Sequence, residues 1–551
     1  MARQLRLVMA QLNLLAGDIA GNADRVLDTA KQAIAEHQAD VVVYPELALT
    51  AYPPEDLLLR PALATRVDDA LAKICEAALP AWLVIGFPLY EQGRLFNALA
   101  VIHDGGIQAI YRKQCLPNYQ VFDERRYFSA GDAPCLVDIE GVKTAFTICE
   151  DIWEAGPTRQ AAQTGAALMI NINASPFHLD KMERRLALLA DRAASAAMPI
   201  VYVNQVGGQD ELVFDGNSMI ADASGKVQVC GPAFAEALIP VNLTVEAKAV
   251  TFAKALTATT VLPGIESRCY QAMELGLRDY LRKNGFKKVL LGLSGGIDSA
   301  LTLAVAVDAL GAENVSAVMM PYDYTSPLSL QLAEQQATRL GVDYQIIAIN
   351  DIYRAFEAAL AAEFAGMPPD LTEQNIQARC RGTLLMAISN KKGALVVTTG
   401  NKSELAVGYC TLYGDMVGAY SVLKDASKTL VYRLARYRNE AAAEAGETDI
   451  IPQGVIDRPP SAELAPDQRD DDNLPPYDRL DAIMAMYVEQ DMSAEAIIRS
   501  GQDRDEVYRV LRLIDINEYK RRQAPIGVRL TERAFGRDRR YPLTHGWKIG
   551  D

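Results

Sequence analysis

A short serine- and glycine-rich string between a strand and a helix has the composition of a phosphate-binding loop. Residues 287–296 form a predicted Val/Leu-rich strand, and SGGIDS (294–299) leads from it into an apolar helix predicted over 298–310. Glycines let backbone N–H groups approach phosphate oxygens, and a helix N-terminus favours a polyanion. Asp298 is a carboxylate that can hold Mg²⁺ against the phosphates. Because no lysine follows the glycines, the string is not a Walker A loop.

The complete pattern SGGxDS at a strand–helix junction resembles the pyrophosphate loop of the N-type ATP pyrophosphatases. That resemblance implies cleavage of ATP between its α- and β-phosphates and transfer of AMP to an oxygen of the substrate. Ammonia or another nucleophile then displaces AMP. The loop by itself leaves GMP, asparagine, argininosuccinate and NAD synthetases open, together with tRNA-modifying relatives.

Three residues in the first half of the chain each follow a predicted strand. Glu46 lies in VVVYPEL, Lys113 in YRKQCLPNY and Cys149 in FTICEDIW. Taken singly, they are typical of a cap, a surface amine and a small buried hydrophobic residue. Together, at the carboxyl ends of strands, they match the Glu-Lys-Cys set of the nitrilase superfamily, which implies an amidase.

Amide hydrolysis would give each member of this trio a role. Cys149 must become a thiolate to attack the amide carbon. Because the chain offers no suitable histidine, a desolvated carboxylate must take the proton, which is the role of Glu46. Lys113 and the backbone N–H after Cys149 would donate to the oxyanion, and one such donor is worth about 3–4 kcal/mol. A thioester forms, ammonia leaves and water completes the hydrolysis.

The two halves together point to one family. A nitrilase-like amidase ahead of an SGGxDS domain resembles the glutamine-dependent NAD synthetases over essentially the whole chain. GMP and asparagine synthetases resemble it in the ATP loop only, because their glutaminase halves have other folds. The supporting strings are LPNYQVFDERRYF (116–128), NASPFH (173–178), TEQNIQARCRG (372–382), TTGNKSELAVGYCTLYGD (398–415) and RPPSAELAPDQRDDDNLPPYD (458–478).

This resemblance implies ATP- and glutamine-dependent amidation of deamido-NAD (nicotinic acid adenine dinucleotide) to NAD. It places glutamine at Tyr119, Ser175 and Lys181, and Mg²⁺ at Asp298 and Glu404. The residues expected to bind ATP are Gly292, Leu293, Ser294, Gly295, Gly296, Ile297, Asp298, Ser299, Thr399 and Lys428. Those expected along the deamido-NAD site are Asn375, Arg379, Glu404, Asp415 and Lys520, and Arg381 lies two residues from Arg379 for bidentate phosphate pairing.

The elements that must position these residues differ between the two halves. The first 240 residues contain short Val/Ile-rich strands, hairpin signals such as Asp104-Gly105-Gly106, and helices predicted over 22–37, with an N-cap at Asn22, and 181–197. Hairpins mixed with strand–helix units favour an α/β fold with two sheets in an α-β-β-α sandwich. The second half alternates strictly between strands and helices, which predicts a doubly wound parallel sheet. The family resemblance implies that the first is nitrilase-like and the second is of the adenine nucleotide alpha hydrolase type.

Domain boundaries follow from these rhythms. We expect an amidohydrolase domain over residues 1–245, a linker over 246–264 and a synthetase domain over 265–551. The stretch 451–478 holds six prolines and an Asp470-Asp471-Asp472 run. It fits either a plain linker or a loop that closes over substrates, and the family resemblance favours the loop.

Composition excludes several other kinds of function. The 551 residues carry 55 Lys and Arg against 70 Asp and Glu, and a net charge of −15 does not suit nucleic acid or an anionic membrane as the main partner. No two of the four histidines lie within four residues of each other, which excludes HExxH zinc chemistry, and the eight cysteines form no CxxC pair. With no signal peptide and no run of about 18 apolar residues, we expect a cytoplasmic protein. Family membership implies a homo-oligomer.

Some alternatives stay open at this point. Arg184 and Arg185 lie close enough to Lys181 to be the true glutamine contact, and Lys520, Arg521 and Arg522 compete for one role or form a solvated basic face. A different carboxylate acceptor on the same ATP chemistry is one alternative function. A nucleotide-binding regulatory protein with a degenerate amidase is another. Because only neutral ammonia attacks an adenylate, joining both sites on one chain implies a protected path between them.

Overall fold

The computed structural model divides the chain into two compact units, Met1–Leu262 and Pro263–Asp551. It describes residues 3–246, 249–253, 262–465 and 474–547. The run Asp470-Asp471-Asp472 and parts of the predicted linker, 247–248 and 254–261, lie outside the described residues. No helix within the described ranges combines the length and apolar character needed to cross a membrane.

The first unit is a pair of β-sheets flanked by helices. Its strands are β1 (Arg3–Gln11), β2 (Val41–Val43), β3 (Trp82–Glu91), β4 (Arg94–His103), β5 (Gly106–Arg112), β6 (Leu136–Ile139), β7 (Val142–Ile148), β8 (Leu168–Asn173), β9 (Ile200–Asn204), β10 (Val206–Gln209), β11 (Leu212–Asp215), β12 (Met219–Ala221), β13 (Val227–Val229), β14 (Ala237–Glu246) and β15 (Ala249–Phe252). Its helices are α1 (Ile19–His37), α2 (Pro61–Glu76), α3 (Ala155–Gln163) and α4 (Lys181–Ala196), with 3₁₀ turns at Glu55–Leu59, Glu124–Arg126 and Cys149–Ile152.

These strands form the two inner layers of a sandwich. One sheet has the order β15-β14-β1-β2-β3-β4-β5 and the other β13-β12-β9-β8-β7-β6, while β10 and β11 pair separately. Apolar side chains of both sheets, such as Met9 and Ile172, share one buried core. Val26 of α1 lies in the core outside the first sheet, and Leu189 of α4 lies in the core outside the second. The predicted α-β-β-α sandwich is therefore confirmed.

One local prediction in this unit, the N-cap of the first helix, is wrong. Helix α1 begins at Ile19 because the Asp18 carboxylate caps it by accepting from Gly21 N–H at 3.1 Å. Asn22 is not the N-cap, since its buried side-chain amide donates to the carbonyls of Leu15 and Leu49. The predicted linker also overlaps β15, which pairs antiparallel with β14 and extends the first sheet to Phe252.

The second unit is an alternating α/β domain. Its strands are β16 (Val289–Gly292), β17 (Val315–Met319), β18 (Asp343–Ile346), β19 (Leu395–Thr398) and β20 (Tyr420–Ser421). Its helices are α5 (Ile265–Lys283), α6 (Ile297–Leu310), α7 (Pro327–Leu340), α8 (Asn350–Leu360), α9 (Leu371–Lys392), α10 (Lys402–Val407), α11 (Lys428–Glu444), α12 (Gln453–Asp457), α13 (Tyr477–Met484), α14 (Ala494–Arg499), α15 (Arg504–Ile516) and α16 (Glu518–Arg521), with a 3₁₀ turn at Ala312–Asn314 and a π-turn at Ala485–Glu489.

The sheet of this unit is parallel throughout, with the order β18-β17-β16-β19-β20. This confirms the predicted doubly wound sheet. The chain leaves β16 on one side toward β17 and returns on the other side at β19, so the winding reverses beside β16. In such sheets ligands bind at the carboxyl ends of the strands next to this reversal. The SGGIDS string follows β16 at that edge.

Candidate active sites

The first site centres on the Lys113 ammonium, which lies between two buried carboxylates. Its Nζ donates to Glu46 Oε1 at 2.7 Å and to Glu124 Oε1 at 2.8 Å. Glu46 and Lys113 have no exposed surface, and Glu124 is 4% exposed. Burial disfavours the ammonium charge, but Glu124 and Glu46 outweigh burial and raise the pKa of Lys113 well above its ordinary value. The two carboxylates therefore favour the ammonium form of Lys113 in this site.

The local chain path holds Glu46 in place. The segment after β2 carries this residue past Gly86 in β3, where an added Cβ would lie 2.4 Å from Leu47 N, so a side chain at residue 86 would collide with backbone. The Glu46 carboxylate also accepts from Asn97 Nδ2 at 2.7 Å and from Ala174 N–H at 2.9 Å. Its position is thus fixed by one donor in β4 and by two donors that directly follow β5 and β8.

Glu124 is a site residue that the sequence analysis missed. It lies on a 3₁₀ turn within the string DERRY, where it is flanked by other charged residues. Tyr52 OH also donates to its Oε1, at 2.9 Å. Burial raises the pKa of Glu124 to about 7, against the lowering effect of Lys113. The available signal was an acidic residue eleven positions after Lys113 inside a string already tied to the family.

Cys149 follows β7 in a strained turn. Its φ of 43° is unusual for a residue with a side chain, and the side chain is 5% exposed. Burial and the charge of Glu46 raise the pKa of the thiol well above its ordinary value, against the effect of Lys113. The resting residue is a thiol, so it must pass its proton to a base as it attacks a substrate.

Asp151 fixes the turn that presents the nucleophile. Its buried carboxylate accepts from Ile148 N–H at 3.0 Å, from Cys115 N–H at 2.7 Å and from Tyr111 OH at 2.7 Å. These contacts tie the Cys149 turn to the segment after Lys113. Asp151 was not among the predicted residues, because a carboxylate two positions after the cysteine carries no distinguishing pattern.

Opposite charges lie beside the nucleophile. Tyr119 OH donates to both oxygens of the Glu150 carboxylate at 3.1 Å. Lys181 begins α4, and its Nζ lies 4.0 Å from the centroid of the Trp153 ring. Burial, with a contribution from Arg185, lowers the pKa of Lys181 to about 8. An ammonium and a carboxylate placed this way can bind the two ends of a free α-amino acid.

Ser175 is tied to the buried Arg185 rather than to Lys181. Arg185 Nη2 donates to Ser175 Oγ at 3.2 Å, and Arg185 Nη1 donates to Asp215 Oδ1 at 2.7 Å. Arg185 is 1% exposed, so its guanidinium is committed to this pairing. Arg184 lies farther from the Trp153 ring than Lys181 does, at 5.9 Å. Of the three basic candidates, Lys181 is the one placed against this ring at short range.

The second site is built on the phosphate loop between β16 and α6. Gly295 has a φ of 80°, and an added Cβ would lie 2.4 Å from Ser329 O, so this position requires glycine on both counts. Ser294 Oγ and Ser299 Oγ lie 3.1 Å apart, and Gly296 N–H donates to Ser294 Oγ at 3.2 Å. The loop is thereby shaped before any phosphate binds.

Asp298 and Glu404 converge on a single cation, the Lys428 ammonium. Lys428 Nζ donates to Asp298 Oδ2 at 2.6 Å and to Glu404 Oε1 at 3.0 Å, and Asn401 Nδ2 donates to Asp298 Oδ1 at 2.8 Å. Two carboxylates that share one ammonium fit Mg²⁺, which in nucleotide sites takes one or two carboxylates plus phosphates. Within the described residues no three His, Cys, Asp or Glu side chains gather to hold a metal by themselves.

These residues line a cavity of about 280 Å³ at the carboxyl edge of the sheet. Arg381 faces it, with Nε donating to Met320 O at 2.9 Å, and burial lowers the pKa of Arg381 to about 10. Asp415 also faces it, and its carboxylate accepts from Thr411 N–H. The other predicted residues that line the cavity are Gly292, Leu293, Ser294, Gly296, Ile297, Asp298, Ser299, Thr399, Glu404 and Lys428.

Three predicted deamido-NAD residues contact the loop 408–415 instead of lining this cavity. Asn375 Oδ1 accepts from Thr411 Oγ1 at 2.8 Å, and Arg379 Nε donates to Leu412 O at 3.2 Å. Lys520 Nζ donates to the carbonyls of Gly408 and Cys410 at 2.7 and 2.8 Å. The loop carries Asp415 at its end, so these three residues surround one wall of the site.

The basic cluster after residue 519 separates into different roles. Arg521 is 7% exposed and donates to the carbonyls of Leu405 and Ala406 at 3.2 and 2.7 Å, which is a structural tie. Arg522 Nη2 donates to Tyr541 O at 2.6 Å. Lys520 alone among the three contacts the loop 408–415 in these bonds.

Fold and site together define a two-part chain, a cysteine amidase unit followed by a nucleotide-binding unit of the pyrophosphatase-loop type. The carbon-nitrogen hydrolase family matches residues 6–250, and the NAD synthase family matches residues 269–524. The chain belongs to the glutamine-dependent NAD(+) synthetase family.

Full-length relatives carry this assignment. The chain is 48% identical to the glutamine-dependent NAD(+) synthetase of Xanthomonas campestris, over 99% of this chain and 98% of the relative. It is 46% identical to that of Acinetobacter baylyi, over the whole of both chains. A solved structure of the Acinetobacter baumannii enzyme in complex with ADP is similar over the whole of both chains, with 44% identity and a TM-score of 0.79.

Proposed function

We propose that this chain hydrolyses glutamine in its first unit and uses the ammonia, with ATP, to convert deamido-NAD to NAD in its second. The observation that supports this best is the presence of two complete sets of reactive groups on one chain. Glu46 and Lys113 form a buried ion pair whose charges act on the Cys149 thiol, and Asp298 pairs with Lys428 beside the phosphate loop. The products would be NAD, AMP, pyrophosphate and glutamate.

Glutamine would bind between the opposite charges beside Cys149. Lys181 would hold the α-carboxylate, and the carboxylate of Glu150, supported by Tyr119, would hold the α-ammonium. Glu46 would take the thiol proton as sulfur attacks the side-chain amide. Lys113 and the N–H of Glu150 would stabilise the oxyanion, which is the largest electrostatic demand of the step.

Adenylation would take place in the cavity next to the phosphate loop. An oxygen of the deamido-NAD carboxylate forms a bond to the α-phosphorus of ATP, and the bond to pyrophosphate breaks with its electron pair leaving on pyrophosphate. Asp298 and Glu404 would hold Mg²⁺, which supplies charge neutralisation on the phosphates. Lys428, released from the two carboxylates, would then donate to phosphate oxygens.

Ammonia must reach the adenylate before water protonates it. We therefore include in the proposal a protected transfer of ammonia from the amidase unit to the synthetase unit. A homo-oligomer with paired synthetase domains is also part of the proposal, on the strength of the family.

The direct test is Cys149→Ala, assayed for NAD formation with glutamine and, separately, with ammonium. Loss of the sulfur nucleophile should abolish synthesis from glutamine while synthesis from ammonium survives, because the phosphate loop and its carboxylates belong to the other unit. Cys75→Ala, at a free, partly exposed cysteine of α2, is the matched control. Loss of both activities in a folded Cys149→Ala protein would contradict the division of labour. Xanthosine monophosphate and aspartate, offered as acceptors in place of deamido-NAD, test the substrate.

A further inference from the structure

An arginine outside all the predicted sets faces the phosphate loop. Arg458 follows α12 and lines the cavity together with the segment 459–464. Its Nη1 donates to Ser329 Oγ, and the Ser329 backbone is the part of the chain that lies directly against Gly295. Ser329 therefore lies between the guanidinium of Arg458 and the glycine turn that would bind phosphates.

Arg458 is paired with a carboxylate in the same wall. It forms an ion pair with Glu463, and the two side chains are 22% and 17% exposed. Ser329 Oγ lies 2.9 and 3.0 Å from the two oxygens of Glu463, so one hydroxyl joins both partners. Glu463 has a φ of 49°, an unusual backbone conformation for a residue with a side chain. The pair is a built contact and not a chance meeting of two surface side chains.

The charged groups that line the cavity indicate which cations could bind phosphate. The charged side chains that line the cavity, among the residues described, are three basic and four acidic, namely Arg381, Lys428, Arg458, Asp298, Glu404, Asp415 and Glu463. Polyphosphate carries several negative charges and needs cations that can leave their present partners. Lys428 can be released when Mg²⁺ satisfies Asp298 and Glu404. Arg458 would have to exchange its ion pair with Glu463 and its bond to Ser329 Oγ for phosphate.

We propose that Arg458 binds the polyphosphate of ATP and the departing pyrophosphate, and that Glu463 holds the guanidinium until phosphate displaces it. The planar guanidinium offers two parallel N–H donors to either a carboxylate or a phosphate, so the exchange replaces one bidentate pair with another. Glu463 thus competes with the nucleotide for Arg458. The inference rests on the proposed function, since it assigns a further residue to the same ATP-using site.

The two members of the pair should then change phosphate affinity in opposite directions. Arg458→Met removes the cation at similar length and should weaken binding of pyrophosphate with Mg²⁺ roughly 10- to 100-fold, the effect of a lost charge-assisted hydrogen bond. Glu463→Gln removes the competing charge and should strengthen it about three- to tenfold. Arg458→Lys, which keeps the charge without the fork, should fall between Arg458→Met and the native protein.

The experiment is calorimetric titration of the full chain with pyrophosphate and Mg²⁺, alongside the KM for ATP in synthesis from ammonium. The control pair is Arg433→Met and Glu266→Gln, an ion pair in the same unit whose members do not line the cavity and should leave both quantities unchanged. Opposite shifts for Arg458→Met and Glu463→Gln support the proposal.

Equal losses in both variants would overturn the proposal, because they would make the pair a purely structural tie. Unchanged affinity in both would overturn it as well. If Arg458→Met does not fold, Arg458→Lys and Glu463→Gln replace it in the test. Affinity for pyrophosphate should then fall in the first and rise in the second, and any other result would overturn the proposal. A native chain that binds pyrophosphate but makes no NAD from ammonium would instead contradict the proposed function.

Discussion

The cations of the amidase site and those of the synthetase site are paired with carboxylates in different surroundings. In the first unit Lys113 and its two carboxylates are almost completely buried and bonded to one another. In the second unit Lys428 is also buried, but the carboxylates bonded to Lys428 and to Arg458 are 17–18% exposed and line a cavity of about 280 Å³. The first set is fixed before substrate arrives. The second has to exchange partners as the ligands bind.

This difference follows from the chemistry that each site would carry out. Attack by a thiol needs an oxyanion donor and a base already in place, since reorganisation during the step would raise the barrier. In adenylyl transfer the negative charges arrive with the phosphates of ATP. The protein must therefore hold cations that pair with carboxylates before ATP binds and can then pair with phosphate. Buried ion pairs that lose one partner are strongly destabilising, which is why each cation has a carboxylate partner in the absence of ligand.

The largest loss of activity is expected for the Lys428 amine of the second unit, which tests whether that cation exchanges its carboxylate partners for phosphate. Lys428→Met should lower NAD synthesis by about 10³-fold with glutamine and with ammonium alike, because the phosphate charge loses a preorganised cation. Lys392→Met, which removes a half-exposed ion pair with Asp343, is the control. A Lys428→Met protein with near-normal synthesis from ammonium would show that the exchange of partners does not involve this amine.

A smaller effect tests the fixed charges of the first unit. Glu124→Gln removes one of the two carboxylates on Lys113 and should lower the rate of glutamine hydrolysis roughly 10- to 100-fold, since the oxyanion donor is then held on one side only. Synthesis from ammonium should be unaffected. Glu140→Gln, at an exposed ion pair with Arg3 in the same unit, provides the control. An unchanged hydrolysis rate would mean that Glu46 positions Lys113 by itself.

The smallest effect concerns pH. Because burial lowers the pKa of Lys181 to about 8, the ammonium is present below that pH and is lost as the pH rises through it. The value of kcat/KM for glutamine should then fall about tenfold per pH unit above about 8, because the α-carboxylate of glutamine loses the Lys181 ammonium as its partner. Lys181→Arg should remove this limb, because a guanidinium keeps its charge. Identical alkaline limbs in both proteins would place the carboxylate elsewhere.

Much of the fold could be predicted from the sequence because strand and helix rhythms are local. The helix predicted over 181–197 is α4, Lys181–Ala196, and the parallel sheet of the second unit likewise follows from such patterns. Strand β15 could not be predicted, since its pairing with β14 depends on the sheet already being formed. Asn22 misled for a similar reason: its side chain serves two loop carbonyls that only the folded chain brings near.

Site residues were predictable where the residues next to them in sequence form a recognisable motif. Cys149 directly follows β7 and Asp298 lies in the first turn of α6, each in a string that is recognisable alone. Glu124 and Glu463 act only as partners of a distant or exchanging cation, and a carboxylate among other charges looks like a solvated surface. The sequence therefore indicated the reacting groups better than the groups that hold them.

In the proposed function, nitrogen released at Cys149 would be delivered to the adenylate in the other unit. It can be measured with amide-¹⁵N glutamine in the presence of excess unlabelled ammonium, by mass analysis of the NAD formed in the first turnovers. We expect ¹⁵N in NAD well above the proportion given by mixing with the ammonium pool, and none in the Cys149→Ala protein. Label at the mixing proportion, or absent from NAD made by the native chain, would contradict the account.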